Sequence, residues 1–149
     1  MVPQIEESII IEAPVERVFA YVADYRHALE WMHNFTRFEP VGEPTYGRGA
    51  RVRAAGTVMG LPVEVTLEIV DFEPNRRLVS RSTGMVESRS AWLFEPLDGR
   101  TRVTFRGEYR LPVLLRPVEG RLMAELAENA RRSLANLKRI LEQPGDNPG

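Results

Sequence analysis

The stretch YRHALEWMHNF, Tyr25 to Phe35, carries both histidines of the chain, His27 and His33, and one of its two tryptophans, Trp31. Imidazoles are well suited to proton transfer and metal ligation near neutral pH. The spacing argues against shared chemistry. Residues six apart on one helix are rotated by about 240°, at ~100° per residue. His27 and His33 therefore do not face one metal. No HExxH pattern accompanies them, and the chain has no cysteine, so no metal site is expected. His27 is expected to be exposed. His33 has two readings. It ends a helix and donates to backbone carbonyls, or it is a polar group at the mouth of a cavity. Trp31 reads as core or as a ligand contact.

A second group of chemical interest follows from one hairpin. Asp98-Gly99 is a type I′ turn signal, because glycine tolerates positive φ. It pairs Phe94 with Val103, Trp92 with Phe105, Ser90 with Gly107 and Ser88 with Tyr109. On the other face it pairs Glu95 with Arg102, Arg89 with Glu108 and Glu87 with Arg110. Each such opposite-charge pair contributes about 0.2–1 kcal/mol. A tyrosine hydroxyl can orient a carbonyl or act as a general acid. It can also simply bond the serine beside it. Tyr109, Ser88 and His33 are thus the candidate catalytic residues. No base stands ready to activate a serine, since Glu87 and Arg89 point outward in this register. GRGARVRAAG lacks the Lys-Ser/Thr of a phosphate loop. No motif implies a cofactor.

These residues need elements to position them. QIEESIIIEAP reads as a strand and PVERVFAYVADY as a short helix, with Pro14 at its first position. Asp24 caps a second short helix running to about Met32. From Phe35 to Leu111 the period becomes two, giving strands at about 35–43, 49–58, 63–73, 76–83, 86–96 and 101–111. A long helix follows LPVLLRPVEG and ends near Glu142. Its apolar stripe is Val118, Leu122, Leu126, Ala130, Leu134, Leu137 and Leu141. One domain over 1–143 is expected, with 144–149 a disordered tail.

Taken as a four-residue turn, MGLP pairs Val58 with Val63, Gly56 with Val65, Ala54 with Leu67, Val52 with Ile69 and Arg53 with Glu68. The turn before 76–83 can be two or three residues long, which leaves the facing of Arg81 open. The inner face then carries Ala54, Gly56, Ser88, Ser90 and Gly107 at its middle, with Leu67, Trp92, Phe94, Phe105 and Tyr109 around them. Such glycines let a twisted sheet bend, or the sheet curls away from the helix and leaves a hollow. An unfilled hollow is costly because its lining atoms lack partners, so a ligand usually occupies it. The expected ligand-binding residues are Trp31, Phe35, Ala54, Gly56, Val65, Leu67, Ser88, Ser90, Trp92, Phe105 and Tyr109 from the sheet side. Met123, Leu126 and Ala130 join them from the long helix. Breakers on both sides of one cavity end, Pro117 and Gly120 in 113–121 and the loop around Met59-Gly60, are expected to frame the entrance.

The net charge of −1, with acids and bases interspersed, argues against nucleic acid. The start has no signal-peptide pattern, and no apolar run approaches the ~20 residues of a membrane span. A cytoplasmic setting is expected. Lys138, the one lysine, sits on the late amphipathic helix, which argues against Schiff-base chemistry. The outer-face pattern is equally compatible with a monomer and a dimer.

The order of elements resembles the helix-grip fold. IEAPVERVFAYVADYRHALEWM resembles the opening of the START / Bet v 1-like (SRPBCC) superfamily, in Ala13-Pro14, Val18-Phe19, Asp24 and Trp31. FEPLDGRTRVTF resembles its penultimate hairpin, and ANLKRILE its helix end. Within that superfamily the chain looks most similar to the polyketide cyclase/dehydrase and lipid-transport branch. The resemblance implies an α+β fold in which a seven-stranded curved antiparallel sheet, two short helices and a long C-terminal helix enclose a cavity. It implies a hydrophobic small molecule as guest: a lipid, polyketide or quinone-like compound. Carriage, sequestration or sensing is the expected role; the alternative is a cyclase/dehydrase-like enzyme on a cyclic apolar substrate. The branch has no universal catalytic motif, so no catalytic residue carries over by position.

Overall fold

The computed structural model describes residues 3–143. The expected tail at 144–149 lies outside them. The elements are β1 (Gln4–Ile11), α1 (Val15–Ala23), a 3-10 turn (Tyr25–His27), α2 (Ala28–Trp31) and β2 (Phe35–Pro40). Then come β3 (Arg51–Val58), β4 (Leu61–Glu73), β5 (Arg77–Gly84), β6 (Glu87–Leu97) and β7 (Arg100–Arg110). A 3-10 segment (Val113–Val118) leads into α3 (Glu119–Leu141). All seven strands form one curved antiparallel sheet in the order β1-β7-β6-β5-β4-β3-β2. This is the helix-grip architecture.

Local chemistry explains the helix starts. Pro14 is the cap of α1 rather than its first residue; its carbonyl accepts from Val18 N at 3.1 Å. Asp24 caps the next turn by accepting from Arg26 N at 3.0 Å. That second helix is shorter than its pattern suggested. It is a 3-10 turn followed by one α-turn that ends at Trp31. Asn34, with φ +75°, then redirects the chain into β2.

The β6–β7 hairpin has the register that Asp98-Gly99 dictates, with Ser88 opposite Tyr109 and Ser90 opposite Gly107. Both turn residues have positive φ. Of the three charge pairs, Glu95 and Arg102 close to 2.9 Å. Glu108 accepts instead from Gln4 on the neighbouring strand. The β3–β4 hairpin is offset by two residues from the expected pairing. Its turn is Met59-Gly60 alone, both at positive φ, so Leu61 and Pro62 already belong to β4. Gly56 faces Val63, Ala54 faces Val65 and Val52 faces Leu67. Glu68 meets Arg51, not Arg53. A slip of two preserves which side chains point inward. On β5 the parity is settled: Ser80 and Ser82 are buried and Arg81 is exposed.

The core occupies one end of the grip. Leu134, Leu137 and Leu141 of α3 pack with Ile11, Val18, Phe19, Phe94 and Val103. Phe19 meets Phe94 and Phe72 edge-on, at 5.0 and 5.3 Å between ring centroids. That end is also tied by polar contacts. Lys138 Nζ donates to the Ile10 carbonyl at 2.8 Å and to Glu142 Oε2 at 2.6 Å, while Glu12 N–H donates to the same carboxylate. Lys138 is therefore a strut between α3 and β1. The first half of α3 is different, because it spans the sheet across open space.

Candidate ligand cavity

Between the first half of α3 and the sheet lies a cavity of about 340 Å³. From α3 come Leu122, Leu126, Asn129, Ala130 and Ser133. Of the expected contacts, Phe35, Gly56, Val65, Leu67, Ser88, Ser90, Trp92, Phe105 and Tyr109 line it too. Trp31, Ala54 and Met123 do not. Trp31 stands behind Trp92, edge-on with ring centroids 5.1 Å apart, so Trp92 presents the aromatic surface to the cavity. Trp31 instead lines a smaller pocket of about 80 Å³ near Tyr46 and Phe72. Ala54 is wholly buried within the sheet. Met123 follows Leu122 by about 100° around the helix, off the cavity-facing stripe.

Sequence reasoning missed the share of the rim that the β5–β6 turn supplies through Met85, and some of the polar wall. Ser80, Ser82, Ser133 and Asn129 contribute polar atoms, and Met59, Leu61, Met85 and Leu115 contribute apolar ones. The signal for Ser80 and Ser82 was their alternation with Arg81, once parity is known. Leu61, Met85 and Leu115 line the cavity and are themselves exposed, so the cavity opens where these three meet. The entrance thus lies among the β3–β4 turn, the β5–β6 turn and the 3-10 segment. Met59 N–H donates to Glu125 Oε2 at 2.7 Å, latching that first turn to α3. Hydrogen bonds from backbone N–H to a carboxylate are among the stronger kinds. Glu125→Ala should therefore speed amide exchange at Met59 and Gly60, and release of a bound probe, while changing stability by only about 1 kcal/mol. The same exchange experiment should find 113–121 less protected than 126–140. Equal protection would remove the 3-10 segment from the entrance.

The histidines separate. His27 is half-buried rather than free: it stacks on Tyr21 with centroids 4.3 Å apart, and its Nδ1 lies 3.1 Å from Glu30 Oε1. It does not line the cavity. His33 does. It lies past the helix end. Its backbone N–H donates to Ser133 Oγ at 2.8 Å, instead of its ring serving helix carbonyls. Asn136 Nδ2 donates to the Trp31 carbonyl at 3.1 Å, so α3 holds this linker by two polar side chains.

Tyr109 is 8% exposed and Ser88 is its cross-strand neighbour, yet they do not bond each other. Ser88 Oγ pairs with Ser82 Oγ at 2.7 Å, and Ser82 also donates to the Val86 carbonyl. The Tyr109 ring instead folds back over Gly107. A β-carbon added at Gly107 would sit 2.8 Å from the Tyr109 hydroxyl. Burial pushes the Tyr109 phenol up to about 12. At neutral pH the group is a proton donor, not a base. The unfolded phenol titrates near ~10. The folded state thus holds the proton more tightly, so this contribution is intact below about pH 10 and lost as pH rises through 12. Tyr109→Phe should flatten that alkaline loss by up to about 3 kcal/mol, read from urea midpoints across the range.

Among the described residues no Lys, Arg, Asp or Glu lines the cavity, and no group of three or more His, Asp and Glu is placed to hold a metal. No helix among them is long and apolar enough to cross a membrane.

A curved sheet gripping a long helix around such a cavity is the helix-grip fold, which the START / Bet v 1 (SRPBCC) superfamily also has. The model of the family described as polyketide cyclase / dehydrase and lipid transport matches residues 2–142, and the chain belongs to that family. Among solved structures it is similar to TTHA0849 from Thermus thermophilus, with 24% identity over 93% of this chain and 97% of that one, at a TM-score of 0.78. The ZhuI aromatase/cyclase from Streptomyces sp. R1128 is 22% identical over 95% and 94%, at 0.79. A START superfamily protein from Mycobacterium smegmatis is 15% identical over 93% and 98%, at 0.76. These likenesses define the fold. Among curated proteins none matches the chain.

Proposed function

We propose that the protein binds a hydrophobic or amphipathic small molecule in this cavity and serves in its carriage, sequestration or sensing. The observation that carries the reading is the open cavity of about 340 Å³, mostly apolar in lining and free of charged side chains among the described residues. Small-molecule sites run from about 300 to 1,000 Å³ and combine apolar walls with a few polar groups. The exposed leucines and methionine at the mouth suit the passage of an apolar guest. Native mass spectrometry of protein purified from its own host should show a retained small molecule, and the stripped protein should take up Nile red saturably at one site. Failure of both would sink the reading.

A second reading, an enzyme acting on a cyclic apolar substrate, draws on the Tyr109 hydroxyl. Tyr109 lines the cavity and its hydroxyl has no side-chain partner among the described residues, while structurally similar proteins include an aromatase/cyclase. Ser88 and His33 would be the other polar participants. Tyr109→Phe separates the two readings. Turnover collapses for an enzyme, whereas Nile red uptake survives for a carrier.

A further inference from the structure

Ser80, Ser90, Tyr109 and Asn129 line the cavity, and none has a side-chain hydrogen-bond partner among the described residues. Three of them form a row. Ser80 on β5 is directly opposite Ser90 on β6, and Ser90 is directly opposite Gly107 on β7. The Tyr109 hydroxyl occupies the space a Gly107 side chain would take. Strands are spaced ~4.8 Å apart. The three hydroxyls therefore cross the cavity floor as a line running over three strands. The next row toward the mouth, Ser82 and Ser88, is already satisfied by its mutual bond and the Val86 carbonyl. Above them the Asn129 carboxamide comes down from α3, with its Nδ2 buried and unpartnered. A buried polar group left without a partner costs about 1–3 kcal/mol. Asn129 Nδ2 is such a group, and the three hydroxyls line the same space without side-chain partners among the described residues, so together they mark where a guest's polar atoms belong.

We propose that the Ser80–Ser90–Tyr109 row and Asn129 form a polar subsite, and that the natural ligand is an uncharged, largely apolar molecule with carbonyl or hydroxyl oxygens along one edge. The inference rests on the ligand-binding reading above and specifies its chemistry. Hydroxyls and a carboxamide both donate and accept, which suits ketone and phenol oxygens. A carboxylate or phosphate buried here would meet no Lys or Arg among the described lining residues, and burying an unpaired charge is heavily penalised. A charged end can only remain at the mouth.

Three probes of nearly one shape test this by calorimetric titration: 2-acetylnaphthalene, 2-isopropylnaphthalene and 2-naphthoate. The wild type should bind the acetyl probe at least about tenfold more tightly than the carboxylate at neutral pH. Ser90→Ala and Asn129→Leu should each weaken the acetyl probe about threefold to tenfold and leave the isopropyl probe within about twofold. Thr83→Ala, exposed on β5 and away from the cavity, should change neither by more than about twofold. Ser90→Ala decides the matter even if Asn129→Leu fails to fold. The inference is overturned if the carboxylate binds as well as the ketone, or if Ser90→Ala shifts both neutral probes alike. Binding of the acetyl and isopropyl probes with equal affinity, the acetyl probe showing no dependence on Ser90 or Asn129, removes the polar subsite and leaves the cavity reading standing. If none of the three probes binds the wild type, both fall.

Discussion

Leu126→Trp is expected to abolish saturable uptake of Nile red while the protein stays folded. Leu126 lines the cavity from α3 and is only partly buried, so a larger ring has room to extend into the empty space. An indole there takes volume from a cavity of about 340 Å³ and covers the wall beside Leu122 and Ala130. Affinity should fall by more than about tenfold, since the guest loses both space and contact area. Thermal stability should hold or rise slightly, because the new ring fills a gap instead of crowding a packed site. Leu134→Trp, about two turns further along the same helix, is the contrast. Leu134 is 2% exposed in the packed end, and enlarging it should cost about 1–3 kcal/mol or more through overpacking. Undiminished uptake in Leu126→Trp would mean that the guest sits elsewhere.

Gly56→Ala should be among the most damaging single-methyl additions in the chain. A β-carbon at Gly56 would collide with the Asn34 carbonyl oxygen, a backbone atom that cannot swing aside. That carbonyl accepts from Thr57 N at 3.2 Å, while Asn34 Nδ2 donates to the Thr57 carbonyl at 2.9 Å. The contact seats the junction before β2 on β3 and thereby places His33 and Phe35 on the cavity wall. A loss of at least about 3 kcal/mol is expected, or a melting temperature lower by roughly 6–12 °C. Gly120→Ala is the control. It has open space around it in the first turn of α3, and alanine there should stabilise by about 0.5–1 kcal/mol. A melting temperature for Gly56→Ala equal to that of the wild type would refute the close approach.

These two glycines show where the sequence was legible and where it was not. Alternation and turn chemistry are local, so Asp98-Gly99 yielded the β6–β7 register outright. Met59-Gly60 yielded the right faces but the wrong partners, because Leu61-Pro62 reads as turn until both residues before it are seen at positive φ. The small residues at the middle of the sheet were visible as a group, but their separate jobs were not. Gly56 admits another backbone, Gly107 admits the Tyr109 ring, and Ala54 lies within the sheet away from the cavity. Each depends on a residue that only the folded chain brings close. The same holds for Trp31, whose type suggested a ligand contact and whose position behind Trp92 removes it from the large cavity. The Tyr109–Ser88 bond failed for a comparable reason: Ser82, on a strand whose facing was open, is the serine's actual partner.

The division of α3 into a fastened half and a spanning half makes it a cantilever. Its root is fixed to β1 through Lys138, Glu142 and the leucines behind them; its free arm rests on the hairpin tip through one carboxylate. Deflecting the arm by a fraction of an ångström changes the height of the chamber without loosening the root. On the ligand-binding reading proposed above, guests of differing thickness would then share one scaffold at small elastic cost.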